Sequence, residues 1–139
     1  TRAGVMKGKA AFMAPEQVSG ESINHRADIY STGVVLWQLV TGQQWWKGKA
    51  QGQILLTVLN GDVPKPSDVC ENVDADLEAI CLKAMEVDPS KRFQSALEMH
   101  DAIEAAIDAR SSVSTRDVGA FVANLFKDER EMLSRTLET

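Results

Sequence analysis

Hydrophobic positions recur in helical spacing along most of the chain, and they are densest at residues 25–42, HRADIYSTGVVLWQLVTG. Apolar side chains fall on nearly every face of this predicted helix, a pattern typical of a helix buried inside a protein. Gly42 is a suitable residue to end it.

Asp28 is the one acid in the run. Because a buried carboxylate is costly without hydrogen bonds, we expect Asp28 to receive donors from another part of the fold. The alternative is an ordinary acid of the first helical turn.

Amphipathic patterns predict further helices at residues 51–60, 73–87 and 95–110, the clearest at 73–87, and a short helix is predicted at residues 15–18. Pro15 suits a first helical turn. Ser95 and Glu98 have the spacing of a capping box. Prolines predict an extended connection at residues 63–67. Since no stretch predicts a strand, the expected fold class is all-α.

The sequence also predicts a division of the chain into a main body and a C-terminal extension. Small polar residues at 110–115 predict a linker. We therefore expect a main body at residues 1–109 and a C-terminal helical extension at residues 116–139, which contains two amphipathic stretches.

Charge and composition exclude several classes of function. The formal net charge of -5 argues against a nucleic-acid surface. No apolar run is long enough to span a membrane, so we expect no membrane contact by this segment. Cys70 and Cys81 lie in no metal-binding spacing, and His25 and His100 are far apart, so no metal site is predicted. We expect reduced thiols in a cytoplasmic protein, with Cys81 in the core.

Three motifs lie in a fixed order: APE at residues 14–16, D-x-x-x-x-G at residues 28–33 and DPSKRF at residues 88–93. This order resembles the C-terminal lobe of eukaryotic-like protein kinases. The segments MAPEQ, ADIYSTGVVLW and DPSKRF are similar to bacterial Ser/Thr kinases in particular. Three ordered motifs make a more specific signal than a single one. The resemblance covers residues 8–109, and it implies the helical C-terminal lobe without the N-terminal β lobe and without the catalytic loop.

The resemblance also implies roles for individual residues. Gly8, Lys9, Ala10 and Phe12 match the loop that receives the substrate residue next to the phosphoacceptor, here called the positioning loop. Lys9 stands where Ser/Thr members usually carry threonine, and an ammonium group cannot replace that hydroxyl in the same way.

Four further residues match the scaffold of the family: Glu16, Asp28, Gly33 and Arg92. The resemblance implies that Glu16 and Arg92 form a buried, bidentate ion pair that ties the activation segment to the lobe. It implies that the acid matching Asp28 receives backbone N–H donors from the catalytic loop. Gly33 completes the same motif.

The parts of a kinase that bind ATP and transfer phosphate do not occur in this sequence. It contains no Gly-rich loop, no His-Arg-Asp and no Asp-Phe-Gly. His25-Arg26-Ala27-Asp28 only superficially matches the catalytic loop, because it follows the APE motif and lacks the required Asn. We therefore assign no catalytic and no cofactor-binding residue. Since the sequence begins with Thr1, we expect a part of a longer Ser/Thr kinase that uses ATP and Mg to phosphorylate proteins. We expect the chain alone to bind no cofactor and to be inactive.

The alternative is a non-catalytic helical interaction module, either a pseudokinase remnant or a kinase lobe reused for binding. One flank of the central helix is expected to be exposed, which predicts self-association of the chain. Trp45 and Trp46 stand where the family usually has Pro-Phe. We expect them to pack a loop onto the core, and a partner site is the alternative.

Overall fold

The structure, a computed structural model, describes residues 9–110, 113–127, 129 and 132. All regular secondary structure within these residues is helical, which confirms the expected all-α class. The helices are α1 (Pro15–Ser19), α2 (Arg26–Thr41), α3 (Gln51–Asn60), α4 (Pro66–Val69), α5 (Ala75–Ala84), α6 (Ala96–Asp108) and α7 (Thr115–Leu125), with a 3-10 turn at Pro89–Lys91. No helix among the described residues is long and apolar enough to cross a membrane.

The chain falls into two compact units, Thr1–Ala106 and Ile107–Thr139. In the first unit, α2 lies at the centre and contributes to both hydrophobic clusters. Ala27, Tyr30, Val34 and Trp37 belong to one cluster, while Ile29 belongs to the other. Cys81 of α5 is fully buried in the first cluster, and burial raises the pKa of its thiol to about 12. Both cysteines are free thiols.

α2 and α5 lie close together at Gly33. A Cβ atom at this position would lie 2.8 Å from Ala84 Cβ and 2.8 Å from Met85 Cγ, closer than packed carbon atoms allow. The two helices can therefore pack at this distance only with glycine at position 33.

α2 is buried on most of its faces but not on all, which agrees with the expectation that one flank of the central helix is exposed. Four residues spaced along one side of the helix are exposed: Asp28, Thr32, Val35 and Leu39. Val35 is 45% and Leu39 is 76% exposed. We call these four residues the α2 stripe. No described segment buries it, and burial depends on what packs against a helix as well as on its own composition.

The ends of α2 follow local signals. The Asn24 side-chain oxygen accepts the backbone N–H of Arg26 at 2.9 Å, and Gly42 has the left-handed conformation (φ 66) that ends a helix. Ser95 Oγ accepts the N–H of Glu98 at 3.1 Å, as predicted for α6. The Glu98 carboxylate accepts the N–H of Gln94 in return, at 2.7 Å.

Two predicted elements differ from the structure. The helix predicted at residues 73–87 is shorter, because Asp74 caps it by accepting the N–H groups of Asp76 and Leu77, and it ends at Ala84. The predicted extended connection gives way at Pro66 to α4, which proline suits as a first helical residue.

In the second unit, Ser114 Oγ accepts the N–H of Asp117 at 3.2 Å and caps α7. Most of the second amphipathic stretch predicted for the extension, residues 128–137, lies outside the described residues.

Candidate functional site

The described part of the positioning loop, which begins at Lys9, forms a compact turn. The N–H of Phe12 donates to the Lys9 carbonyl at 3.2 Å, and the N–H of Met13 donates to the Ala10 carbonyl at 3.3 Å. Ala10 and Ala11 are buried, whereas Lys9 is exposed. Gly8 lies outside the described residues. The loop therefore presents the Lys9 side chain to solvent above two buried alanines.

Two contacts fix the end of this turn. Ser31 Oγ of α2 donates a hydrogen bond to the Phe12 carbonyl at 2.7 Å. The Phe12 ring meets the Trp46 ring edge-on, with centroids 5.0 Å apart. Such aromatic pairs contribute about 0.5–1.5 kcal/mol beyond the burial of area. The positioning loop is thus held by α2 on one side and by the loop after α2 on the other.

Trp45 and Trp46 are both buried, which bears out the packing interpretation of the pair. Their rings contact each other edge-on at 5.7 Å, and Lys49 Nζ lies 5.5 Å from the Trp45 ring centroid. The buried indole N–H of Trp45 has no hydrogen-bond partner in the described part of the chain.

Glu16 and Arg92 form a bidentate ion pair. Arg92 Nη1 donates to Glu16 Oε1 at 2.7 Å, and Nη2 donates to Oε2 at 2.7 Å. The exposed fractions are 5% for Glu16 and 2% for Arg92, although the two residues are 76 positions apart. Two parallel charge-assisted hydrogen bonds fix geometry as well as adding energy. The pair connects α1, which follows the positioning loop directly, to the segment before α6.

Arg92 uses its remaining donors on backbone carbonyls. Nε donates to Glu86 at 2.7 Å, Nη1 to Arg26 at 2.9 Å and Nη2 to Val87 at 3.1 Å. All five N–H groups of the guanidinium are therefore satisfied, as a buried charge requires. The Tyr30 ring centroid lies 5.1 Å from Arg92 Cζ, which adds a cation–π contact.

The environment of the pair shifts two pKa values. Burial alone would raise the pKa of Glu16, but the hydrogen bonds and positive charge of Arg92 outweigh it, so the pKa lies below its ordinary value. Burial raises the pKa of Tyr30 to about 12. Glu16 is therefore ionised and Tyr30 is neutral at physiological pH.

A family model described as protein kinase domain matches residues 2–105. The chain belongs to the protein kinase domain family. Among curated relatives, the tyrosine-protein kinase MasK of Myxococcus xanthus (strain DK1622) is 36% identical over 131 residues, which cover 94% of this chain and 20% of MasK. The serine/threonine-protein kinase PknB of Mycobacterium tuberculosis is 35% identical over 99 residues, which cover 71% of this chain and 16% of PknB.

Among solved structures, the twitchin kinase region from C. elegans superimposes with a TM-score of 0.63 at 24% identity, covering 80% of this chain and 19% of that one. That likeness concerns the fold alone, and it agrees with the helical lobe of a kinase. The chain spans about a fifth or less of the length of these relatives.

The kinase motif residue Asp28 lies apart from the ion pair. It is exposed, its carboxylate accepts no hydrogen bond from the described residues, and the expectation of a buried acid is therefore wrong for this structure. Asp28 lies at the edge of a mainly apolar cavity of about 340 Å³, whose lining includes Ile29, Met99 and Ile103.

No group of three or more His, Cys, Asp or Glu side chains among the described residues could hold a metal ion.

The structure brings Glu16 and Arg92 together and packs Gly33 against α5, but it leaves Asp28 separate. Sequence reasoning missed Ser31, which holds the positioning loop of this kinase segment. Ser31 is one of several polar residues within the apolar run, with Thr32 beside it and Gln38 further on, so its position gave no specific signal.

Proposed function

We propose that this chain is the substrate-positioning and scaffold part of a protein kinase that transfers the γ-phosphate of ATP to hydroxyl groups of proteins. The observation that carries the proposal is the buried Glu16–Arg92 pair, which holds the end of the positioning loop on the body of the lobe. Kinase catalysis depends mainly on positioning and charge stabilisation, so a fixed substrate loop is a functional part of the enzyme.

The residues present do not fit a nucleotide or its metal. Asp28 is a single exposed carboxylate, and the sequence holds no Gly-rich loop and no Asp-Phe-Gly. We therefore assign ATP and Mg to other parts of the full-length kinase. The role of this chain is to orient the protein substrate.

Serine and threonine are the acceptors that we propose. The support is the likeness of the three motifs to bacterial Ser/Thr kinases, and PknB carries that name. MasK is named as a tyrosine-protein kinase, so tyrosine is the competing acceptor. Phosphoamino acid analysis of labelled substrate separates the two, and phosphotyrosine as the main product would contradict the proposal.

We also propose that the kinase acts in the cytoplasm, because ATP is present there and free thiols such as Cys81 stay reduced there. So does the division into a kinase part at residues 1–109, a linker at 110–115 and an extension at 116–139.

The experiment compares the full-length protein that contains this chain with the chain alone. Each is incubated with radiolabelled ATP, Mg and a mixture of peptides that contain Ser, Thr or Tyr. We expect transfer by the full-length protein and none by the chain alone. A folded full-length protein that transfers no label would favour the second candidate, a non-catalytic interaction module.

The exposed α2 stripe is the observation that supports this second candidate, a non-catalytic interaction module. Whichever of the two functions holds, no described residue covers the apolar flank at Val35 and Leu39. We infer that a second copy of the chain covers this flank in solution, since exposed apolar surface of this kind commonly forms interfaces.

A further inference from the structure

Acidic residues are distributed unevenly along this chain. The chain carries 20 Asp and Glu residues and a net charge of -5, yet residues 1–15 and 29–61 contain no acid at all. The described basic residues of those stretches are Lys9, Lys47 and Lys49. A region with local positive charge therefore lies within an acidic protein.

The fold brings these two stretches together. The edge-on contact between Phe12 and Trp46, at 5.0 Å, places the positioning loop against the loop after α2. Lys9 begins the turn that ends at Phe12, and Lys47 directly follows Trp46. We call Lys9, Lys47 and Lys49 the lysine patch.

The loop that carries two of these lysines is ordered by its own backbone. The N–H of Lys47 donates to the Gln44 carbonyl at 3.0 Å, and the N–H of Lys49 donates to the Trp46 carbonyl at 3.0 Å. Gly48 between them has φ 81, a left-handed turn conformation that favours glycine. Lys47 and Lys49 therefore belong to a defined turn that follows the buried tryptophans. Since this backbone is already ordered, a partner that binds there loses less free energy to conformational entropy.

The charges of the patch are not neutralised within the described protein. None of the three ammonium groups forms an ion pair with a described carboxylate, whereas Lys83 pairs with Glu98 at 3.1 Å. Lys49 instead lies over the Trp45 ring, a contact that leaves its positive charge available to an anion. Lys9 and Lys47 are exposed.

We propose that the lysine patch binds an acidic segment of the protein substrate, rich in Asp or Glu, beside the phosphoacceptor. This inference rests on the proposed function, since it names the substrate class that the positioning loop receives. Positive side chains attract a carboxylate-rich peptide and repel a basic one, which supplies both attraction and discrimination. The chemistry also predicts binding that weakens as the salt concentration rises.

The test measures binding directly and needs no ATP. A fluorescently labelled peptide rich in Asp and Glu is titrated with the 139-residue chain at low and at high salt, and anisotropy is recorded. The comparison peptide has Asn and Gln in place of Asp and Glu. We expect the acidic peptide to bind more tightly and to lose most of its affinity at high salt.

Variants locate the site. Lys47→Gln with Lys49→Gln should weaken binding of the acidic peptide about fivefold or more, on the scale of exposed ion pairs. The matched control is Lys91→Gln with Lys127→Gln, which changes the net charge equally at two exposed positions outside the patch. The control should bind as the parent chain does.

Three results would overturn the inference. They are equal binding of the acidic and the amide peptide, equal losses in the patch and control variants, and tighter patch-dependent binding of an oligonucleotide or of anionic vesicles. Failure of the proposed function is seen separately, as the absence of phosphate transfer by the full-length protein while the acidic peptide still binds.

Discussion

The Arg92 guanidinium faces the Glu16 carboxylate edge-on, with both N–O distances at 2.7 Å, while its carbon lies 5.1 Å from the Tyr30 ring centroid. One side chain thus connects α1, the first turns of α2 and the loop after α5. Because the positioning loop runs directly into α1, we expect the rigidity of the loop to depend on an arginine far away in sequence.

Replacing Arg92 by alanine should free the loop. The change leaves the Glu16 charge buried without a partner, and breaking a buried pair in this way typically costs about 3–5 kcal/mol of folding free energy. We expect faster amide hydrogen exchange at residues 9–20, measured by mass spectrometry. The adjacent exposed Lys91→Ala is the control and should leave exchange unchanged. Unchanged exchange in Arg92→Ala itself would contradict the proposed role of the pair.

Glu16 should make stability depend on pH in a defined direction. Burial opposes ionisation, but Arg92 outweighs it, so the folded-state pKa of Glu16 lies below its ordinary value of 4.5. A carboxylate of this kind contributes stability above its unfolded pKa, and the contribution is lost as the pH falls through the folded pKa.

The measurement is urea unfolding of the parent chain and of Glu16→Gln at pH 7, 4.5 and 3. The stability advantage of the parent chain should be largest at pH 7 and should shrink towards pH 3. Other carboxylates with lowered pKa values, such as Asp88 and Glu98, are common to both proteins and cancel in the difference. A difference that stays constant across this range would show that Glu16 is not the titrating group.

Gly33→Ala should destabilise the lobe by overpacking. The new Cβ would lie 2.8 Å from Ala84 Cβ, so α2 and α5 would have to separate, which typically costs about 1–3 kcal/mol. Gly52→Ala in α3 is a matched control, since no atom lies within 4 Å of its added Cβ. In a helix that change should be stabilising by about 0.4–1 kcal/mol. Thermal unfolding of both variants checks the contrast, and equal effects would show that helix packing at Gly33 is looser than the structure indicates.

Local signals predicted the helices well. Gly42 ends α2 as predicted, and the predicted capping box of Ser95 and Glu98 lies at the start of α6. The pairing of Glu16 with Arg92 came from the resemblance to kinases, because nothing in the two local sequences indicates that residues 76 positions apart would meet.

Burial was the property that sequence reasoning predicted least well. The apolar composition all round α2 did not show which flank of the helix is exposed, because burial depends on which segments pack against each face. The carbonyl partners of Arg92 at Glu86 and Val87 were also missed, since every residue carries a carbonyl and only the path of the loop selects these two.

The α2 stripe yields the last prediction, which concerns assembly. If a second copy covers Val35 and Leu39, light scattering at micromolar concentration should give a mass of a dimer or larger. Leu39→Lys places a charge in that interface and should shift the protein to monomer, because an unpaired charge is costly to bury. Leu56→Lys on α3 is the control, since Leu56 is an equally apolar residue that is 60% exposed outside the stripe. A monomeric parent chain, or equal effects of the two lysine variants, would show that the stripe does not mediate self-association.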